Sequence, residues 1–297
     1  MPSVATLDFH ITSRCEQACP YCAPPQVTAE EIDTQRAAAI VRKVRALGVP
    51  RLVFTGGDPL LRPDAGLLLR LARQERLEAE LATPGDKLTP GFLRAYGRWI
   101  DRLSLPLDGP NEAISRLSKN PGHFDATLRH LKVLSGFPRI DLKLTTAVTR
   151  RNLDAVPELL TLLDQMAPTL PNRLAVDIYP VHPRGSVEVA WQDLVVSDEA
   201  FAALRAADEV RSHPYRVNWL DRRATDGLYL TILPDGRLSA VADGQVHDLG
   251  PFTEIRDLEA ALGTSGFDAP RHLQHAQTWS SLRREKALAT QNETVAH

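Results

Sequence analysis

The sequence holds only three cysteines and two methionines among 297 residues, and its opposite charges nearly cancel, leaving a formal charge of −2. Three thiols are too few, and an odd number, for a disulfide framework. The balanced charge gives no electrostatic footprint for nucleic acid or an anionic membrane. No apolar run approaches the ~18 residues that span a bilayer, since even Leu67 to Leu71 is interrupted by Arg70. The start, Met1 to His10, lacks a basic segment followed by an apolar stretch and a cleavage site. The expectations are therefore a cytoplasmic protein with no nucleic-acid partner, no membrane and a small-molecule substrate. A hydrophobic share of 43% with 24% charged residues is ordinary for a folded chain and excludes intrinsic disorder.

What is present is concentrated. All three cysteines fall in the stretch Cys15-Glu16-Gln17-Ala18-Cys19-Pro20-Tyr21-Cys22. Thiols this close bridge poorly, so a metal is the natural partner. A zinc site needs a fourth Cys or His at paired spacing, and only His10 is near. Three thiolates at CxxxCxxC spacing can instead hold one face of an iron-sulfur cubane and leave one iron open to a small molecule.

The surrounding pattern alternates strand and helix. Thr6 to Thr12 reads as a strand, with Leu7, Phe9 and Ile11 alternating with polar residues. A helix over Thr28 to Leu47 follows, with Thr28 and Glu31 as a capping box and Gly48 as its stop. Further strands are expected at 51–55, 77–83, 101–107, 140–149 and 173–179, with helices between them. Six strand-then-helix units imply an α/β fold with a parallel sheet, whose active site lies on the loops after the strands. Tyr229 to Leu233 and Arg237 to Val241 read as a hairpin turning at Pro234-Asp235-Gly236. The expected organisation is a core barrel over residues 1–212 and an α+β extension over 213–297.

After the second strand comes Thr55-Gly56-Gly57-Asp58-Pro59. Its glycines permit close backbone approach to a ligand, while Asp58 can contact that ligand or simply cap the next helix. Ser104 to Pro110 ends the fourth strand, and Asp108 likewise reads as a site residue or a cap. Arg150, Arg151, His182 and Arg184 follow the fifth and sixth strands, where they can dock a substrate phosphate or carboxylate or pair on a solvated surface.

Together these segments resemble the radical S-adenosylmethionine (SAM) superfamily. That resemblance implies a partial (β/α)6 TIM-like barrel and one 4Fe-4S cluster held by Cys15, Cys19 and Cys22. It also implies a flavodoxin or ferredoxin-type electron donor, with reductive cleavage of SAM to a 5′-deoxyadenosyl radical. It assigns cofactor contacts to Tyr21, to Thr55, Gly56, Gly57, Asp58 and Pro59, and to Ser104, Asp108, Thr146 and Asn152. Asp58 stands where the family's commonest motif has Glu.

The late hairpin resembles the SPASM or twitch extension of that superfamily, although Ala240 and Ala242 replace the cysteines that hold auxiliary clusters in relatives. A weaker resemblance to viperin, a nucleotide-converting member, rests on Asp8-Phe9-His10 and Ser265 to Asp268. With the first cysteine at position 15, no leader-binding module of roughly 80 residues is expected ahead of it. The expected substrate is therefore a polar intermediate such as a sugar, nucleoside or aminocyclitol, with a nucleotide or a peptide as alternatives. A redox sensor is the non-enzyme alternative, disfavoured because a sensor needs no glycine-acid cofactor clamp. No thiol is spare to return hydrogen to a substrate radical, which argues against a thiol-dependent epimerase and leaves electron loss to the cluster, elimination or rearrangement, recapture of hydrogen from 5′-deoxyadenosine, or donation from a tyrosine such as Tyr179 or Tyr229.

Overall fold

The computed structural model describes residues 3–22, 30–183, 190–263 and 265–276. Its strands are β1 (Thr6–Thr12), β2 (Arg51–Gly56), β3 (Glu78–Ala82), β4 (Arg102–Pro106), β5 (Asp141–Val148), β6 (Leu174–Pro180), β7 (Arg216–Trp219), β8 (Leu230–Ile232), β9 (Arg237–Ala242) and β10 (Gln245–Pro251). The helices are α1 (Thr34–Ala46), α2 (Ala65–Gln74), α3 (Pro90–Tyr96), α4 (Glu112–Ser115), α5 (His123–Leu134), α6 (Val156–Met166), α7 (Asp198–Asp208), α8 (Arg222–Thr225) and α9 (Leu258–Leu262).

All ten strands form one open, curled sheet in the order β10-β9-β8-β1-β2-β3-β4-β5-β6-β7. From β8 through β7 the neighbours are parallel, and β9 and β10 add an antiparallel edge. The fold is thus the partial barrel of an α/β protein. Residues beyond the sixth unit feed both sides of it, because β7 extends one edge while β8 pairs directly with β1.

Strand alternation sets the two faces. On β1, Leu7, Phe9 and Ile11 are fully buried in the layer that also holds Ile40 and Val44 of α1 and Leu68 and Leu69 of α2. Asp8 and His10 point the other way, into the barrel interior. The interior is consequently polar. Glu80 receives Arg102 at 3.1 Å and a close ion contact from Lys143 at 2.5 Å, and Arg51 meets Glu78 at 3.1 Å.

Burial alone would raise the Glu80 carboxyl, but Lys143 and Arg102 outweigh it and hold it down at about 2. A carboxyl depressed in the folded state adds stability that is present above its ordinary 4.5 and is lost as pH falls toward 2. We therefore expect the native chain to lose about 2–4 kcal/mol between pH 4.5 and 2 through this group. Glu80→Gln should flatten that loss in denaturant titrations run across the same window; an unchanged acid limb would contradict the assignment.

The expected capping box is corrected. The helix begins at Thr34, with the Asp33 carboxylate accepting from the Arg36 N–H at 2.7 Å, and Thr28 lies outside the described residues. Glu31 is engaged elsewhere, by Arg14 at 3.1 Å and by Thr12, so it cannot reach back to cap a helix. Among the described residues no helix is long and apolar enough to cross a membrane.

Candidate active site

The cysteine loop leaves β1 and is pinned from two sides. The first clamp is the glycine loop after β2, where Gly57 N–H donates to Thr12 O at 2.9 Å and Asp58 N–H to Arg14 O at 2.7 Å. A Cβ on Gly56 would lie 2.1 Å from Thr12 O, and one on Gly57 2.1 Å from Arg14 O. Gly56 also has φ +132°, a conformation side chains disfavour. These glycines thus let the backbone approach the cysteine loop closely. Asp58 is buried and does two structural jobs with Oδ1, accepting from Leu60 N–H at 3.0 Å and from the Thr83 hydroxyl at 2.7 Å. Burial pushes its carboxyl above the usual range.

The second clamp follows α4 and carries residues the sequence reading passed over. Asn120 Nδ2 donates to Glu16 O at 2.8 Å, its Oδ1 accepts from Ala18 N–H at 3.2 Å, and its own N–H meets Gln17 Oε1 at 2.9 Å. Beside it, the buried Lys119 ammonium lies 3.2 Å from Cys19 Sγ, 2.8 Å from Tyr21 Oη and 3.4 Å from Asp108 Oδ2. Tyr21 donates its hydroxyl to Asp108 at 2.5 Å. The segment carries only the Asn120-Pro121-Gly122 turn signal, and nothing local announces a lysine aimed at a thiol 100 residues earlier in the chain.

Asp108 is held in turn by Ala147 N–H at 2.9 Å. Asn152 spends its amide on Asp108 O and Ala147 O, at 2.8 and 2.9 Å, and its carbonyl on Thr149. The Thr146 hydroxyl donates to Leu107 O at 2.9 Å. These two residues brace the Asp108 loop from behind. Ser104 is buried on β4, level with Lys143 of β5, while Thr55, one residue before the end of β2, lies opposite His10 and Pro59 opens the short turn after Asp58.

A cavity of about 390 Å³ opens beside the loop, with Tyr21, Cys22, His10, Tyr179, His182 and Tyr229 in its wall. It thus gathers both predicted tyrosines, the last cysteine and its aromatic neighbour. Tyr229 also lines a deeper pocket of about 80 Å³ and an outer one of about 470 Å³, the latter shared with His182. Arg150 and Arg151 are not brought there. Both are exposed, and the Arg150 guanidinium donates to Val195 O at 2.7 Å. Arg184 lies outside the described residues.

The thiols form a donor set short of positive charge. Burial raises Cys19, against which Lys119 pulls, and burial together with the neighbouring thiols pushes Cys22 up to about 11. Cys15 is raised by burial as well. Thiolates there call for a strongly cationic group beyond the single ammonium. Among the described residues no three His, Cys, Asp or Glu side chains converge on one ion. Thiols spread along a loop suit a cubane, in which each sulfur takes a different iron.

Comparison with known proteins bears on the same residues. A family model described as the Radical SAM superfamily matches residues 9–163. An AdoMet-dependent heme synthase of Nitratidesulfovibrio vulgaris is 28% identical over 235 residues, covering 77% of this chain and 59% of the relative. A PqqA peptide cyclase of Ruegeria pomeroyi is 34% identical over 161 residues, 52% of this chain and 42% of the relative. The chain spans about half the length of the curated relatives it matches. Among solved structures, native anSMEcpe with bound AdoMet superposes with a TM-score of 0.65 at 14% identity, covering 91% of this chain and 82% of that one. Streptococcus suis SuiB bound to S-adenosylmethionine gives 0.61 at 13% identity, covering 91% and 67%.

Proposed function

The chain belongs to the Radical SAM superfamily, and we propose that it is a peptide-modifying member that takes hydrogen from a carbon of its substrate. The observation that carries this reading is the doubly clamped cysteine loop opening on a cavity through Tyr21 and Cys22. Members of the family use a 4Fe-4S cluster with three cysteine ligands together with SAM, and Cys15, Cys19 and Cys22 are the chain's only cysteines. When bound, the pair supplies a one-electron reductive cleavage of SAM that ends in hydrogen abstraction.

The chain's own residues do the rest. Gly57, Asp58 and Asn120 fix the loop backbone, so the thiols keep their spacing without rearrangement. Val181, Leu220 and Val241 give the cavity an apolar share of wall that limits water around a reactive centre. Tyr179 and Tyr229 line that wall as the proposed hydrogen donors in a protein with no spare thiol. Arg150 and Arg151 hold no place in this proposal, because neither lines the cavity.

A peptide replaces the sugar, nucleoside or aminocyclitol expected from sequence because the relatives point that way. The PqqA peptide cyclase is named for a peptide, and none of the relatives described above is named for a sugar or nucleoside. The second reading is a tetrapyrrole, favoured by the heme synthase that aligns over 77% of the chain. Incubation of the anaerobically reconstituted protein with SAM, dithionite and perdeuterated substrate pools separates the peptide from the sugar and nucleoside class. A perdeuterated peptide digest should pass deuterium into 5′-deoxyadenosine, while perdeuterated glucose and nucleosides should not. Deuterium from the sugar or nucleoside pool alone would return the substrate to the small-molecule class.

A further inference from the structure

Lys119 places an ammonium where burial is costly unless its donors are met. Its side chain is only 6% exposed, and three acceptors surround the nitrogen: Tyr21 Oη at 2.8 Å, Cys19 Sγ at 3.2 Å and Asp108 Oδ2 at 3.4 Å. An ammonium carries three N–H donors, so the sulfur completes the set. The nitrogen also lies nearer to that sulfur than to the carboxylate, which a lysine present only to pair with Asp108 would not require. The other two acceptors are themselves held. Asp108 accepts from Ala147 N–H on Oδ1 and from the Tyr21 hydroxyl on Oδ2, and the ammonium stands 5.2 Å from the centroid of the Tyr21 ring.

The backbone fixes the same approach. Asn120 follows Lys119 in the chain and bonds Glu16, Gln17 and Ala18, the three residues before Cys19. On the other side, Lys119 N–H donates to Ser115 O at 2.9 Å. Ammonium and thiol therefore ride on two segments tied together one residue away from each. Cys19 is half-buried, whereas Cys15 and Cys22 are exposed, so solvent screens this charge from its sulfur less than it would at either neighbour.

We propose that Lys119 is a positioning residue that donates an N–H···S hydrogen bond to the cluster-ligating sulfur of Cys19 and thereby raises the reduction potential of the bound cluster. Hydrogen bonds to the sulfurs and local charge are among the factors that set such potentials. In the step affected, one electron passes from a flavodoxin-type or chemical reductant to the cluster and no proton is transferred. The reduced state thus gains negative charge beside a buried cation, which favours it over the oxidised state. Lys119 acts through Cys19 and Asp108 holds it there, so the acid read from sequence as a cofactor contact serves the cluster at one remove. The inference rests on the family's cluster and not on the peptide reading.

A redox titration of the anaerobically reconstituted protein tests this, followed by the electron paramagnetic resonance signal of the reduced cluster with no SAM present. Iron content is measured first, so that loss of the cluster is not read as a change of potential. In iron-loaded Lys119→Met the equilibrium constant for reduction should fall about tenfold, a shift of about 59 mV to more negative potential for a one-electron couple. A second measurement needs no change at Lys119. Wild-type protein carrying 15N at the lysine Nζ should show a 15N coupling in pulsed resonance of the reduced cluster, and the coupling should persist in Lys87→Met, which removes the lysine bound to Glu16 of the same loop. An unchanged potential in iron-loaded Lys119→Met, with or without weakened SAM binding, would overturn the proposal. So would a wild-type cluster with no 15N coupling, or a coupling lost in Lys87→Met. Wild-type protein that takes up no iron would instead sink the family chemistry on which the proposal stands.

Discussion

Gly57→Ala is expected to abolish cluster assembly while leaving every cysteine in place. The added methyl would lie 2.1 Å from Arg14 O and 2.7 Å from Ser13 O, far inside van der Waals contact with backbone that has no rotamer to turn away. Relief requires the glycine loop to part from the cysteine loop, breaking the Gly57 to Thr12 and Asp58 to Arg14 hydrogen bonds. Cys15 follows Arg14 directly, so its thiol is displaced with them. Anaerobic reconstitution should give well under one iron per chain, against about four for the native protein. Circular dichroism serves as the control, because the strands behind the loop remain paired. Normal iron content in a folded Gly57→Ala protein would mean that the clamp does not set the thiol spacing.

The second large effect concerns Asp108. Its carboxylate is almost fully buried, it lies 3.4 Å from the Lys119 ammonium, and it accepts from Tyr21 and from Ala147 N–H. Removing one member of a buried pair strands the other charge, at a cost of about 3–5 kcal/mol. Asp108→Ala should lose that much in denaturant unfolding of the cluster-free protein. Replacing both, as Asp108→Leu with Lys119→Met, should cost much less than the two single changes added together. Additive losses would show that the two groups do not act as a pair.

Much of this architecture is readable from local pattern. Leu7, Phe9 and Ile11 announced β1 because a two-residue period with one apolar face is a local signal, and Gly236 at φ +84° turned the hairpin where Pro-Asp-Gly stood. β7 and β10 escaped notice for a physical reason. Arg216–Trp219 is four residues of mixed polarity that become a strand only by pairing with β6, and β10 is an exposed edge whose hydrogen bonds come from β9 alone. The site divides along the same line. The cysteines and glycines are contiguous motifs, whereas Lys119 and Asn120 acquire their meaning from chain that returns from far away. The glycines' need for space was plain in sequence, and the neighbouring cysteine loop is one object that takes up that space.

Arg150 and Arg151 stay apart from His182 at the cavity for a related reason. Residues that follow adjacent strands share one end of a barrel, yet Arg150 turns outward to the Val195 carbonyl and Arg151 remains in solvent. Proximity in topology places backbones together, while side-chain direction is settled by the acceptors each one meets.

The central claim is that three thiols on a clamped loop hold one cluster that cleaves SAM. Its most direct test is a single anaerobic sample, reconstituted with iron and sulfide, reduced with dithionite and supplied with SAM, in which iron and 5′-deoxyadenosine are both quantified. The account predicts about four irons per chain, steady formation of 5′-deoxyadenosine, and loss of both in Cys19→Ala. A fully loaded protein that forms no 5′-deoxyadenosine, or a Cys19→Ala protein that keeps its iron and its activity, would contradict it.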